Sequence, residues 1–206
     1  MKEIIMNTVK IVAITLVAGL CLALIYEVTA EPRAEQEARE RQEALEAVFE
    51  DAAEFEEVEY DEETRAAVTA YVEEMGVDSG IAEVVEITYA LDDAGEFLGY
   101  VFTVDAYKGY GGTIEFMVGI GEDGTVNGYS ITSIDETVGL GMNAQEEEFS
   151  SQFRDKNVEY FTFTKTGSTA ENEVDAISGA TITTTAMVNG MNAAIYTYQY
   201  LETEDE

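Results

Sequence analysis

A long apolar segment opens the chain. Sixteen consecutive uncharged residues lie between Lys10 and Glu27, and the apolar positions continue upstream of Lys10, whose long side chain can reach a polar surface from within the segment. Residues 4–26 are therefore numerous enough to cross a lipid bilayer as one helix. The pattern predicts a retained membrane anchor with its core at residues 11–26. A cleaved signal peptide is the alternative, because Val28-Thr29-Ala30 resembles a small-residue cleavage site.

The next segment has the composition of an exposed helix. Residues 27–60 consist largely of Ala, Glu, Arg and Gln, with Pro32 near the beginning and apolar residues at helical spacing from 45 to 49. Good helix formers and a Pro in the first turn predict an acidic juxtamembrane helix, which only leads from the membrane to the domain. A short amphipathic helix is expected over residues 64–76, with Gly76 ending it.

Beyond residue 80 the apolar residues alternate as they do in β-strands. Runs rich in β-branched and aromatic residues are separated by turn signals such as Asp123-Gly124. Strands in sequence order favour two hairpins in one antiparallel sheet, and the predicted fold class is α+β with flanking helices, residues 61–206 forming the domain. The predicted strands are 83–91, 97–107, 113–121, 126–135 and 158–164, and the predicted helices of this part are 143–153 and 183–201.

Composition excludes several classes of function. The 206 residues include 43 acidic and 10 basic ones, and the formal net charge of -33 repels phosphate backbones, so nucleic-acid binding is not expected. A single Cys and no His leave no ligand set for an iron–sulfur cluster, and the usual haem and zinc ligands are missing. Redox or hydrolytic chemistry therefore needs an organic cofactor, carboxylates or hydroxyls. The acidic excess is interpreted as a solvated surface, or as an adaptation to a saline environment.

Three loops contain more glycine than a turn requires. They are residues 109–112, 136–141 and 178–181, and glycine lets a backbone approach a flat ligand closely. Each loop alone is consistent with an ordinary turn, whereas the three together favour a ligand site. The third loop precedes the last predicted helix, whose N-terminal N–H groups attract an anion such as phosphate. An ordinary N-cap made by Ser178 or Thr181 is the alternative, and the residues alone do not separate the two.

These loops carry a resemblance to a known family. The sequence DAISGAT at 175–181 resembles the flavinylation motif of bacterial FMN-binding domains, in which an Asp precedes Ser or Thr, then Gly, Ala and an acceptor Thr. Residues 109–112 and 136–141 resemble two further loops of that family, with Val138 where the family often has Pro. Over residues 5–200 the chain resembles the G subunits of Rnf complexes, and it is similar to the C subunits of sodium-translocating NADH:quinone reductases.

The resemblance implies a covalently bound cofactor. In the family a flavin transferase joins the phosphate of FMN to the hydroxyl of the acceptor threonine as a phosphoester, and the matching residue here is Thr181. Thr183, Thr184 and Thr185 are the alternative acceptors. The resemblance further implies that Tyr110, Gly111, Glu136, Thr137, Leu140 and Gly141 bind the flavin, and that Asp175, Ser178, Gly179 and Ala180 form the recognition sequence around the acceptor.

A function and a topology are implied as well. The chain would relay electrons between other membrane subunits of an ion-translocating ferredoxin:NAD oxidoreductase, as a carrier that does not itself bind NAD or ferredoxin. Residues 1–10 would lie in the cytoplasm, and everything after Tyr26 would lie outside it. The alternatives are a C subunit of the quinone reductase, a stand-alone flavoprotein, and a membrane-tethered interaction module without redox chemistry.

Overall fold

The structure is a computed structural model that describes residues 1–204, and the chain divides into two compact units, residues 1–42 and a second unit that begins at Glu43. The helices are α1 (Lys2–Val48), α2 (Glu62–Glu74), α3 (Glu147–Ser150) and α4 (Thr181–Glu204), with 3-10 turns at Gly141–Gln145 and Ser151–Phe153. The strands are β1 (Glu54–Glu57), β2 (Ala82–Leu91), β3 (Phe97–Ala106), β4 (Ile114–Gly121), β5 (Val126–Ser133), β6 (Thr162–Thr164) and β7 (Glu173–Asp175).

Helix α1 begins in the apolar segment predicted as a membrane anchor. Its residues Lys2–Ala30 form a stretch of 29 residues that is long and apolar enough to cross a membrane, and none of its most apolar window is buried inside the protein. Such a stretch fits a single-pass anchor, although a signal sequence has the same properties. The helix predicted to begin near Pro32 is instead continuous with this segment, since Pro32 lies inside α1. Strong helix formers on both sides of Pro32 favour that continuity.

The predicted juxtamembrane helix over residues 27–60 is wrong in its second half. Helix α1 ends at Val48, and residues 54–57 form β1, which pairs antiparallel with β2 at the edge of the sheet. The last turn of α1 has partners in the domain. Leu45, Val48 and Phe49 are buried, in a cluster with Ala90, Val101 and Met117 of the sheet. Their helical spacing therefore marks a core-facing stripe of the domain, where the sequence suggested an exposed connector.

Glycines in the sheet make room for this contact. A Cβ added at Gly119 of β4 would lie 2.6 Å from the carbonyl oxygen of Val48 and 3.2 Å from the Phe49 ring. A Cβ added at Gly99 of β3 would lie 2.8 Å from the same ring. The end of α1 thus packs directly on sheet backbone, a close approach that only glycine permits at these positions.

The central sheet confirms the predicted fold class. Its five antiparallel strands follow the order β1-β2-β3-β4-β5, and the strands β2 to β5 lie close to their predicted bounds. Its other face carries the main core, where α4 packs on the sheet among buried side chains such as Phe102 and Phe116, and α2 packs against α4. Helix α4 approaches closely at Gly190, where an added Cβ would lie 2.5 Å from the Phe116 ring. This contact holds α4 against the sheet.

The region between β5 and α4 differs most from its prediction. The helix expected over residues 143–153 is a single α-turn, α3, between two 3-10 turns. The strand expected over 158–164 is shortened to β6, which pairs in parallel with β7, a strand that was not predicted. The last helix begins two residues earlier than predicted, so that Thr181 is its first residue.

Candidate functional site

The three glycine-rich loops meet at one cavity of about 530 Å³. This volume lies within the roughly 300–1,000 Å³ of typical small-molecule sites. Eight of the eleven residues implied by the family resemblance line the cavity, together with Ile182 and Thr183. The eight are Tyr110, Glu136, Thr137, Leu140, Gly141, Gly179, Ala180 and Thr181.

The sheet brings two of the loops together. Ala106 at the end of β3 pairs with Ile114 at the start of β4, and Glu115 of β4 pairs with Ser133 at the end of β5. The loop between β3 and β4 and the loop after β5 therefore leave the sheet at the same end. Helix α4 packs on β2, β3 and β4 and supplies the third wall with its first turn.

The first two loops are joined by the side chain of Glu136. Its Oε1 accepts a hydrogen bond from the main-chain N–H of Tyr110 at 2.7 Å and a longer one from the N–H of Gly111 at 3.4 Å. A Cβ added at Gly111 would collide with the carbonyl oxygen of Asp135, so the two loops touch through their main chains. Gly111 does not line the cavity itself, and its contribution is this close approach.

The threonines around the start of α4 differ in what their hydroxyls do. Thr184 is fully buried and its hydroxyl accepts from the N–H of Ile177 and donates to the carbonyl of Ala180. The Thr185 hydroxyl donates to the carbonyl of Thr181 at 2.8 Å. Thr183 lines the cavity and is only 1% exposed. Thr181 is half-buried in the same cavity, and within residues 1–204 its hydroxyl has no hydrogen-bond partner.

The N-terminal end of α4 is not capped in the ordinary way. Among the described residues the hydroxyls of Thr184 and Thr185 form the side-chain hydrogen bonds of this region, and neither the Ser178 nor the Thr181 hydroxyl accepts a main-chain N–H of the helix, so the predicted N-cap is not seen. The first N–H groups of a helix lack carbonyl partners within it and carry the positive end of its dipole. Residues 181–183 line the cavity, so this end of the site favours an anionic group.

The residues of the recognition sequence line two different cavities. The main chain turns at Gly179, which has a φ of 76°, in the left-handed region that glycine adopts readily. Asp175 and Ser178 lie before this turn and line a separate cavity of about 670 Å³ with Glu146 and Gln152. The Asp175 carboxylate accepts from the N–H of Ser168 at 2.7 Å. Neither Asp175 nor Ser178 therefore lines the cavity that contains Thr181.

Large apolar side chains surround the mouth of the cavity. Tyr110 is 71% exposed, Ile182 51% and Leu140 41%, and all three line it. Val138, at the tip of the loop after β5, is 86% exposed. Sequence reasoning missed Ile182, although a large apolar residue in the first turn of a helix, beside Thr181, is a signal that could have identified it. The site therefore combines an anion-favouring end with apolar walls.

Comparison with known proteins gives the class. Residues 109–196 match the family described as FMN-binding domain, a span that begins at the first glycine-rich loop and ends within α4. The fold and the cavity thus define a protein with an FMN-binding domain.

Two relatives define the family more narrowly. The chain is 33% identical over 190 residues to the G subunit of the Na(+)-translocating ferredoxin:NAD(+) oxidoreductase complex of Acetobacterium woodii, covering 91% of this chain and 88% of that protein. It is 40% identical over 107 residues to the G subunit of the proton-translocating ferredoxin:NAD(+) oxidoreductase complex of Clostridium ljungdahlii, covering 52% of this chain and only 57% of that protein. The chain belongs to this family of G subunits.

A solved structure aligns with part of the chain. The C subunit of the Na(+)-translocating NADH-quinone reductase of Parabacteroides distasonis aligns with a TM-score of 0.47 at 22% identity. The alignment covers 55% of this chain and 60% of that one.

The residues of the cavity fit an FMN group. Its phosphate matches the N-terminal end of α4, where Thr181 offers a hydroxyl without a partner among the described residues. Its flat ring matches walls made by Leu140, Ile182 and the side chain of Tyr110, which are apolar and exposed. Gly141 and Gly179 also line the cavity and add no side chains of their own to it.

Proposed function

We propose that this chain is the FMN-carrying G subunit of an ion-translocating ferredoxin:NAD(+) oxidoreductase complex. In this proposal FMN is attached covalently, by a phosphoester between its phosphate and Oγ of Thr181. The observation that carries the proposal is the position of Thr181, which lines the cavity at the start of α4 with its hydroxyl unbonded among the described residues. The family membership supports the assignment to the G subunit rather than to the C subunit of the quinone reductase.

The parts of the site have different roles in binding FMN, and each role follows from the position of its residues. FMN, when bound, supplies the redox chemistry that the side chains of a His-free chain with one Cys cannot supply. The N-terminal end of α4 stabilises the phosphate through unpaired N–H groups. Leu140 and Ile182 line the cavity and would supply apolar contacts to the ring. The Thr184 hydroxyl holds the backbone of residues 177 and 180, which fixes the turn that presents Thr181.

Maturation and topology belong to the same proposal. A flavin transferase forms the phosphoester from an activated flavin phosphate: Oγ of Thr181 loses its proton and bonds to phosphorus, while the bond between phosphorus and the activating group breaks and that group leaves. The approach to Thr181 is open because residues around the cavity mouth are exposed. The apolar part of α1 anchors the chain in the membrane by a single pass, and the FMN-binding domain lies on the extracytoplasmic side. The electron-transfer partners are other membrane subunits of the complex.

Mass spectrometry of the denatured chain tests the attachment site. The full chain is produced together with a flavin transferase, and the intact mass is measured with and without the substitution Thr181→Ala. We expect the mass of one attached FMN group on the parent and none on Thr181→Ala. Thr185→Ala is the matched control, since the Thr185 hydroxyl is bonded to the main chain, and it is expected to keep the flavin. A flavin retained on Thr181→Ala would contradict the assignment.

A further inference from the structure

The carboxylate of Glu136 lies where the walls of the cavity meet. Its Oε1 accepts the main-chain N–H groups of Tyr110 and Gly111. On the other side, a Cβ added at Gly141 would collide with Oε2 of Glu136 and would lie 2.7 Å from Oγ1 of Thr183. One half-buried side chain therefore connects the 109–112 loop with Gly141, which in turn lies against the first turn of α4.

The Glu136 carboxylate accepts its hydrogen bonds from main-chain N–H groups. Among residues 1–204 no Lys or Arg forms an ion pair with Glu136. A carboxylate that accepts N–H groups makes hydrogen bonds about twice as strong as those between neutral groups. The bond to Tyr110, at 2.7 Å, has the length of such a charge-assisted bond. The 109–112 loop is thus held by a strong bond that no other described side chain replaces.

The bond acts on a segment that has little other support. Residues 107–113, between β3 and β4, form no strand or helix, and Tyr110 and Gly111 are exposed. Tyr110 nevertheless lines the cavity at its mouth. The direction of its side chain depends on the main chain at residues 110 and 111, which is the part that Glu136 holds.

We infer that Glu136 is a positioning residue. It fixes the main chain of the 109–112 loop and thereby the position of the Tyr110 side chain, which lines the FMN cavity at its mouth. The inference rests on the proposed function, because it concerns the same cavity. It assigns the carboxylate a role in shaping the wall, by hydrogen bonds within the protein. The role needs an acceptor oxygen at this place, so a neutral amide oxygen keeps most of it although its hydrogen bonds are weaker.

Amide hydrogen exchange tests the contact without any flavin. The full-length chain in detergent is compared with Glu136→Ala, Glu136→Asp and Glu136→Gln, and exchange is followed in peptides that cover residues 109–112. Loss of one such bond, worth roughly 1.4 kcal/mol, corresponds to about tenfold faster exchange. We expect this acceleration in Glu136→Ala and in the shorter Glu136→Asp, and a clearly smaller acceleration in Glu136→Gln, whose neutral amide oxygen accepts the same N–H groups more weakly. The matched control is Asp135→Ala, which removes an exposed neighbouring carboxylate and is expected to change nothing.

Flavin accessibility tests the consequence for the cofactor. The same variants are flavinylated by co-production with a transferase, and quenching of flavin fluorescence by iodide is measured on the purified chains. We expect quenching to rise at least about threefold in Glu136→Ala, to rise clearly less in Glu136→Gln and to stay at the parent value in Asp135→Ala. A folded Glu136→Ala chain that fails to receive flavin, while Glu136→Gln receives it, also supports the inference.

The outcomes separate this inference from the proposed function. Parent-like exchange and quenching in Glu136→Ala would overturn the positioning role and leave the attachment at Thr181 untouched. Glu136→Gln with normal exchange but with quenching as strong as in Glu136→Ala would also overturn it, because the charge would then act on the flavin directly. A parent chain without any flavin would instead refute the proposed function, and the exchange experiment would still decide the role of Glu136.

Discussion

Removing the Phe49 ring is expected to destabilise the domain strongly. Phe49 is 6% exposed, and its ring lies against Gly99 and Gly119, which have no side chains that could move into the space. Truncation of a buried Phe to Ala costs about 3–5 kcal/mol, more where the site cannot collapse. A domain is stable by only about 5–15 kcal/mol, so Phe49→Ala removes a large part of that stability.

Urea unfolding of the full chain in detergent measures this loss. The chain has no Trp but 12 Tyr, all but Tyr26 outside the apolar stretch Lys2–Ala30, so near-UV circular dichroism of tyrosine reports mainly the tertiary structure of the domain. We expect Phe49→Ala to lower the unfolding midpoint at an unchanged slope. Glu50→Ala, at the exposed neighbouring residue, is the control and is expected to stay within about 0.5 kcal/mol. A loss below about 1 kcal/mol for Phe49→Ala would show that residues 43–49 only connect the anchor to the domain.

Three further predictions concern charge, topology and reactivity. The pKa of the Asp105 carboxyl is raised in the folded state, mainly by burial and then by the carboxylates of Glu115 and Glu83. Folding therefore favours the protonated form, and the stability that this form contributes is lost as the pH rises through the folded pKa. Asp105→Asn should therefore raise stability at pH 7 by about 0.2–1 kcal/mol, the usual size of a cross-strand pair, and urea titrations should show that the gain disappears below the unfolded pKa of roughly 3.9. Protease added to spheroplasts should digest the domain after Tyr26, whereas full protection would place the domain in the cytoplasm. NADH mixed with the purified flavinylated chain should leave the visible flavin absorbance unchanged on the timescale of a usual turnover, about 10 per second, and rapid bleaching would show a direct dehydrogenase.

Local sequence signals were sufficient where neighbouring residues determine the structure. The alternation of apolar residues predicted β2 to β5, and the glycine-rich loops pointed to the segments that line the cavity. The periodic residues at 45–49 were also detected. Their partner was not predictable, because it is the sheet surface around Gly99 and Gly119, some fifty to seventy residues further along the chain.

Long-range pairing and turn geometry explain the remaining differences. Strand β7 has only three residues and pairs in parallel with β6, so it carries no periodic signal long enough to be detected, and β6 keeps only the last three residues of the strand predicted over 158–164. The motif at 175–181 reads as one unit in the sequence, but the turn at Gly179 directs Asp175 and Thr181 to different cavities. The backbone conformation at one glycine therefore decides which motif residues can reach a ligand.

The start of α4 has a consequence for motion in the site. Thr181 is the first residue of a helix whose later turns, around Met187 and Met191, are completely buried, and such elements open only when the whole domain unfolds. The 109–112 and 136–141 loops are largely exposed and open at lower cost. A group attached at Thr181, as proposed above, would therefore be held by a stable helix at one end and lie between more mobile loops at the other. With the attachment proposed above, the ring would be able to move toward solvent and return while its point of attachment stays in place.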